Sequence, residues 1–409
     1  MCTMTDVMKG IRVLEVAEHM FVPAASAILS DWGADVIKIE HHLRGDAMRG
    51  LGSTGVLDLS KGVHVLNEHS NRGKRSIGLD LSSDDGVQVL YEMAKTCDVF
   101  LTNKLPGILA KLNIDVEDIR KHNPNIIYVR GTASGPKGPD GNRGGYDMTS
   151  FWCRSGCAAS VSPPGMGFVL PQPGPGFGDS IGGMTIAGGI AAALFKRERT
   201  GEPSVVDVSL LAAGVWALGP TIALSGQTGK PWVLGGGGAA GSSNPLTGLY
   251  QTSDERFVSL VMLQGFHYWP DFCQHLDRAE LIDDERFNSH ENLSANAGQA
   301  GDILREEFAK FTLAQWTEKF QTLKGQWAPV QNSVEVAADP QVRANGYIAE
   351  ASTKEGVVFE MVSTPVQFDE VPASTARGPE FNEHCEEILA EAGIDTERMI
   401  ALKVAGIVA

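Results

Sequence analysis

The chain has 409 residues, 43% of them hydrophobic, and a formal net charge of −16. That length and composition suit a soluble globular protein of two or three domains with a sizeable core. So large an acidic excess argues against nucleic acid or an anionic membrane as partner, and an anionic ligand would need a local basic patch.

In chain order, Ile11–Val16 reads as a strand, Pro23–Trp32 as a helix with Pro23 in its first turn and Gly33 past its end, and Asp35–Ile39 as the next strand. Ser76–Leu81 is extended, Asp84–Thr96 helical, Asp98–Leu101 a strand, Val116–His122 a helix and Ile126–Arg130 a strand. Strands alternating with helices of about ten residues imply βαβ units and a parallel sheet. Residues 131–178 turn rich in Gly and Pro, and a loop region that long inside a compact protein is usually functional. A helix follows over Ser180–Arg199, then a strand at Val205–Leu210 and a helix to Leu224. The longest apolar run, Ile181–Phe195, falls short of the roughly 18 residues of a membrane span and reads as a buried helix. Past the glycine run Gly235–Gly238, Leu249–Thr252 and Phe257–Val261 form a hairpin around Asp254. Residues 264–325 are helical, and their stripe of Phe266, Trp269, Phe272, Phe308, Phe311, Trp316 and Phe320 reads as core. Short strands and a helix at Glu383–Ala392 end the chain. We expect a large domain from 1–227 and 329–409 around a smaller one at 228–328. Scattered cysteines and a polar N-terminal stretch lead us to expect a reducing cytoplasm and no metal site.

One stretch carries chemistry. Gly178-Asp179-Ser180-Ile181-Gly182 satisfies the G-x-S-x-G pattern of a serine-hydrolase elbow. An elbow needs a strand before it, and Pro171, Pro173, Gly174, Pro175 and Gly176 cannot supply a central one. Asp179 stands where a helix begins. Its plain reading is an N-cap; its functional reading is a carboxylate nucleophile on an activated acyl group, near helix N–H groups and with glycines that let a ligand approach. Two basic stretches, Asn71–Ser76 and the Lys104/Lys111 pair around Pro106-Gly107, read either as solvated turns or as neighbours of a phosphate.

Taken together the residues resemble the class III CoA-transferase family, with its formyl-CoA and carnitine-CoA transferases and α-methylacyl-CoA racemase. The resemblance covers nearly the whole chain. It runs through Gly10–Glu15, Asp31–Glu40 with Gly45-Asp46 and Arg49, and NRGKRSIGLD at Asn71–Asp80. It continues through Thr102–Gly107, Asn123-Pro124, Gly178-Asp179 and its Gly/Ala-rich helix, Thr200-Gly201, Val206–Val208, Asn244-Pro245, Asp339-Pro340 and Gly378-Pro379.

The resemblance implies an α/β fold: a Rossmann-like large domain built from both chain ends, a smaller α+β domain, and a homodimer of interlocked chains. It implies coenzyme A, as acyl-CoA, for co-substrate, a carboxylic acid as second substrate, and Asp179 as the nucleophile, forming first a mixed anhydride and then an aspartyl-CoA thioester. Ser180 is then a bystander. His41 stands where several relatives have an Arg near the CoA phosphates; Leu79 and Leu81 match the adenine side; Asn103, Lys104, Lys111 and Leu112 match the segment that holds the nucleotide. Gly235, Gly236, Gly237 and Gly238 resemble the loop that closes over the site. Met20 and Phe21 replace the Gln and Ala that flank a small acid in formyl-CoA transferase, which points to a larger, apolar acyl group. Racemase relatives carry a His in a G-H-D stretch that here reads Gly145-Tyr146-Asp147. Tyr146 is no imidazole near neutral pH, which favours transfer over racemisation and places Tyr146 in the acyl pocket. The alternatives are a racemase or isomerase, a serine hydrolase through Ser180, and a CoA-binding protein without turnover.

Overall fold

The computed structural model describes residues 6–54, 63–232, 243–373 and 375–409. They form two compact units, one from 1–159, 169–232 and 340–409, the other from 160–168 and 233–339.

The larger unit is built on six parallel strands: β1 (Arg12–Val16), β2 (Asp35–His41), β3 (Arg75–Leu79), β4 (Val99–Thr102), β5 (Ile127–Thr132) and β6 (Val205–Ser209). Val13, Leu14, Val36, Ile37, Val99, Phe100, Leu101, Ile127, Tyr128 and Val129 are all buried, as expected of a parallel sheet covered on both faces. The order β3-β2-β1-β4-β5-β6 reverses direction between β1 and β4. Open sheets of this order leave a crevice at the carboxyl ends of the two strands that flank the reversal, and ligands bind there.

The helices are α1 (Phe21–Asp31), α2 (Val65–Asn71), α3 (Asp84–Ala94), α4 (Pro106–Leu112), α5 (Val116–Arg120), α6 (Cys157–Val161), α7 (Phe177–Thr200), α8 (Leu210–Ala217) and α9 (Gly219–Thr228). Every residue of α1 is buried. Its contact with α7 is close because α7 offers glycines: a Cβ on Gly182 would lie 2.4 Å from the Phe21 ring, and one on Gly183 2.8 Å from Ala24. The run read as Ile181–Phe195 thus belongs to a 24-residue helix. By length and composition alone α7 could cross a membrane. Its stripe of Gly178, Gly182, Gly183, Ile186, Ala187, Ile190 and Ala193 is instead buried within this unit.

The stretch Asn71–Ser76 is neither a solvated turn nor free to hold a phosphate, because its cations are paired. Arg72, buried, donates Nε to both oxygens of Asp31 at 3.1 and 2.9 Å. Lys74 Nζ meets Glu15 Oε2 at 2.7 Å, and Lys38 Nζ meets Glu15 Oε1 and Asp46 Oδ2, each at 2.7 Å. Arg75 reaches Asp35 at 2.7 Å and Glu391 at 2.9 Å. Gly73, at φ +70°, approaches Ser30 so closely that a Cβ would lie 2.3 Å from its Oγ. A buried pair is worth little against an apolar pair of the same shape, but losing one member costs about 3–5 kcal/mol.

The loop region 131–178 is not structureless: it holds a π-helical turn at Met148–Arg154 and then α6. The helix read as running to Leu224 is two helices, α8 and α9, bent by 68°.

In the smaller unit β7 (Thr247–Gln251), β8 (Phe257–Val261) and β9 (Trp327–Pro329) pair antiparallel. The aromatic stripe read from the sequence forms its core with α10 (Gly265–His275), α11 (His290–Ala295), α12 (Ala297–Phe308) and α13 (Leu313–Lys319). A short α14 (Ser333–Ala338) ends it. The chain then adds α15 (Pro340–Ala344), the hairpin β10 (Ile348–Ser352) and β11 (Val358–Val362), α16 (Cys385–Glu391) and α17 (Thr396–Val404) to the larger unit. His384 N–H bonds Ser76 O at 3.0 Å and Leu79 bridges Val408, so the chain end covers the free edge of β3.

Candidate active site

Two loops leave the sheet at the reversal. The loop after β1 carries Glu18, His19 and Met20; the loop after β4 carries Asn103 and Lys104. The Asn103 amide ties them together, accepting from Glu18 N–H at 3.2 Å and donating to Glu18 O at 2.7 Å. His19 holds the left-handed backbone at φ 69°, and its N–H donates to Asp46 Oδ1 at 3.0 Å. A non-glycine residue there is strained, and strain of this kind gathers at functional sites. Asp46 in turn is the far end of the buried chain Lys74–Glu15–Lys38–Asp46. Burial opposes its charge, but Lys38 and the N–H donors of His19 and Met48 hold it down at about 2. The family-like residues of β1, β2 and the turn before β3 therefore work as a scaffold for the β1 loop.

Opposite stands the start of α7. Gly176, at φ 71°, takes the N-cap position, so Asp179 lies three residues past it, in the first turn, and no side-chain cap bond closes this end. The plain capping reading of Asp179 therefore fails. Burial pushes its carboxyl up to about 7, and the nearby Asp147 carboxylate pushes in the same direction. Asp147 is buried and fixed, accepting from Met148 N–H at 2.7 Å and from Gln172 Nε2 at 2.8 Å. A carboxyl poised near neutrality, inside a cavity, has the signature of a group that reacts.

That cavity is small, about 90 Å³, and lined by Asp179, His19, Phe21, Tyr146, Asn103, Leu105 and Gly131–Ala133 among others. It shares Glu18, His19, Asn103, Leu105 and Gly144–Tyr146 with a cleft of about 700 Å³ that also holds Lys104, Arg143 and Arg154. The cleft shares Glu18 and Lys104 with a third hollow of about 210 Å³. Through these shared walls the three adjoin as a track of hollows along the carboxyl ends of the strands, and Asp179 lines the smallest of them.

Of the residues singled out from sequence, His41, Leu79, Leu81, Lys104 and Leu112 come together in the third hollow, with His42 stacked on His41 at 4.9 Å. Asn103 lines the central cleft, while Lys111 stands exposed on the last turn of α4, on none of these walls. Phe21 and Tyr146 line the Asp179 cavity; the His19 and Tyr146 rings meet edge to face at 5.7 Å. Met20 is buried, with its thioether under Gly176. Gly235–Gly238 lie outside the described residues.

Ser180 turns the other way. Its hydroxyl lies 3.3 Å from His69 Nε2 and lines a separate apolar hollow of about 580 Å³. Burial, and then Arg72, lower His69 to about 4, so the imidazole is neutral. Among the described residues no carboxylate orients that ring, and Ser180 N–H is spent on Gly176 O at 2.8 Å. The arrangement is a serine–histidine contact on a helix, not a hydrolase elbow.

Sequence reasoning missed Glu18, His19, Asp147, Arg143 and Arg154. The strand order would have found the first two, since they follow the strand at the reversal.

The family model for CoA-transferase family III matches residues 8–385. The chain is 28% identical over 393 residues to (R)-2-hydroxy-4-methylpentanoate CoA-transferase of Clostridioides difficile, covering 96% of this chain and 97% of that protein. It is 30% identical over 406 residues to human succinyl-CoA:glutarate CoA-transferase, covering 98% and 90%. A solved CAIB/BAIF family protein from Brucella suis superimposes with a TM-score of 0.79 at 26% identity, covering 94% of this chain and 99% of that one.

Proposed function

The chain belongs to CoA-transferase family III and transfers CoA between an acyl-CoA and a carboxylic acid; from that premise we propose that Asp179 carries the acyl group and then the CoA. The observation behind this reading is a half-buried carboxyl, pushed up to about 7, on the wall of a cavity that shares its lining with the larger cleft.

The ionised Asp179 attacks the thioester carbon of the donor, and the C–S bond breaks to give an aspartyl anhydride and CoA thiolate. The thiolate attacks the aspartyl carbonyl and expels the donor acid, leaving an aspartyl-CoA thioester. The acceptor carboxylate attacks that carbonyl and frees the thiolate again. The thiolate then takes the acceptor's acyl carbon and restores Asp179. Each bond broken is matched by one of similar energy, so no ATP is needed. Burial supports the nucleophile by stripping its water, and the first turn of α7 stabilises the charge that moves through it.

His41, Leu79, Leu81, Asn103, Lys104 and Leu112 are assigned to the nucleotide part of CoA, Lys111 at its rim. Phe21 and Tyr146 face the acyl group, with Met20 behind them. A homodimer is supported by the apolar side chains left open on α7, α8 and α9, among them Phe195 and Trp216, the latter 85% exposed; none of α9 is buried.

A second reading, α-proton exchange, is favoured by His19, which brings to the Asp179 cavity the imidazole that Tyr146 does not. Incubation of the protein with a panel of acyl-CoAs and free acids in deuterated water separates the two. New acyl-CoA masses support transfer; deuterium at the α-carbon without new thioesters supports exchange and overturns transfer.

A further inference from the structure

Among the described residues, each Lys and Arg that lines the track has a carboxylate within 4 Å. In the central cleft and the hollow beyond it, Glu18 ends between two of them: Lys104 Nζ at 2.5 Å from Oε2 and Arg44 Nη2 at 2.8 Å from Oε1. Its backbone cannot swing away, because the Asn103 amide grips both its N–H and its carbonyl. Glu18 lines all three hollows of the track. Farther along the central cleft the pattern repeats on the surface: Asp140 takes Arg154 at 2.7 Å and lies 3.7 Å from Arg143.

An anionic ligand in a protein of charge −16 meets a repulsive field, and its local basic groups are already neutralised. A single free carboxylate must compete with a tethered one of the same charge that needs no ordering from solution, and it loses. A ligand with several phosphate charges on one framework competes differently: it replaces one carboxylate with more charge and pays the ordering cost once. The same Lys104 and Arg44 then hold phosphate.

We propose that Glu18 is a specificity residue, an internal counter-ion that keeps Lys104 and Arg44 from binding the free carboxylic acids of the reaction and yields them to the phosphates of CoA. This rests on the reading that the track holds CoA. It also extends it, because Glu18 opposes the ligand while helping to select it. The lowered value of the Glu18 carboxyl, where Lys104 and then Arg44 outweigh burial, accords with a carboxylate that stays ionised until displaced.

The test is calorimetric binding of CoA, pantetheine and a free monocarboxylic acid to the wild-type protein, Glu18→Gln and Lys104→Met. Glu18→Gln is expected to bind CoA about 5–10-fold more tightly at low salt, the size of one released surface ion pair, and to lose that gain at high salt. Pantetheine, without phosphates, should bind both alike, and the free acid should compete with CoA only in Glu18→Gln. Lys104→Met should weaken CoA. If Glu18→Gln binds CoA as the wild type does, or more weakly while Tm falls, Glu18 only props the loop and the proposal is overturned. If the wild type binds no CoA at all, the assignment of the track fails first, and that result is distinct.

Discussion

Asp179→Asn should make the protein more stable, and by an amount that depends on pH. In the native state burial and then Asp147 raise the Asp179 carboxyl from 3.8 to about 7. A folded value above the unfolded one means the native state holds a proton the unfolded state has released. Stability therefore falls as pH rises from about 4 to about 7 and levels off beyond. Three units at about 1.4 kcal/mol each set a ceiling of about 4 kcal/mol. Asp179 keeps some access to water, and screening leaves about 2 kcal/mol of that. Asparagine at 179 does not titrate, so the variant gains this amount at pH 8 and almost nothing at pH 4. Urea unfolding of both proteins at several pH values, with equal m, reads the difference directly. A gap that stays constant from pH 4 to 8, or a variant less stable at pH 8, refutes the claim that Asp179 is held in a site hostile to its charge. The gain in stability comes with loss of transfer, the trade expected where function needs a strained group.

Ser180→Ala should retain CoA transfer within a few-fold in a coupled thioester assay, since Ser180 faces His69 and not the Asp179 cavity; loss of turnover with intact folding restores the hydrolase reading. Two glycines of α7 should respond with opposite signs in urea unfolding. Gly188→Ala, whose Cβ meets nothing within 4 Å, gains up to about 1 kcal/mol of helix propensity. Gly183→Ala, whose Cβ would meet Ala24 at 2.8 Å and the Ala25 backbone at 3.2 Å, loses about 1–3 kcal/mol.

The parallel sheet was legible because its central strands are short runs of apolar residues spaced by helices, and burial on both faces demands such runs. The aromatic stripe of the smaller unit was legible for the same reason: helical spacing of large side chains has few uses other than a core. The basic stretch at Asn71–Ser76 was not. Its partners Asp31, Glu15 and Asp35 lie some forty residues or more away, and local charge pattern cannot separate a solvated cation from a buried pair. Glu18 and His19 carry no local signature either; the reversal of strand order gives them their position. At Asp179 the pattern found the residue but left open whether it caps the helix or lies just inside it; the left-handed Gly176 takes the cap, which puts the carboxyl in the first turn without a cap bond. In 131–178 the Gly and Pro content hid a π-helical turn and α6, whose few residues are too short for a helical period to show.

The central claim is that Asp179 becomes acylated. The protein incubated with a thioester that supports turnover, quenched with hydroxylamine, digested and weighed by mass spectrometry, should carry a hydroxamate on the Asp179 side chain. Asp179→Ala should carry none. A hydroxamate at another residue, or full turnover with no adduct at Asp179, contradicts the account.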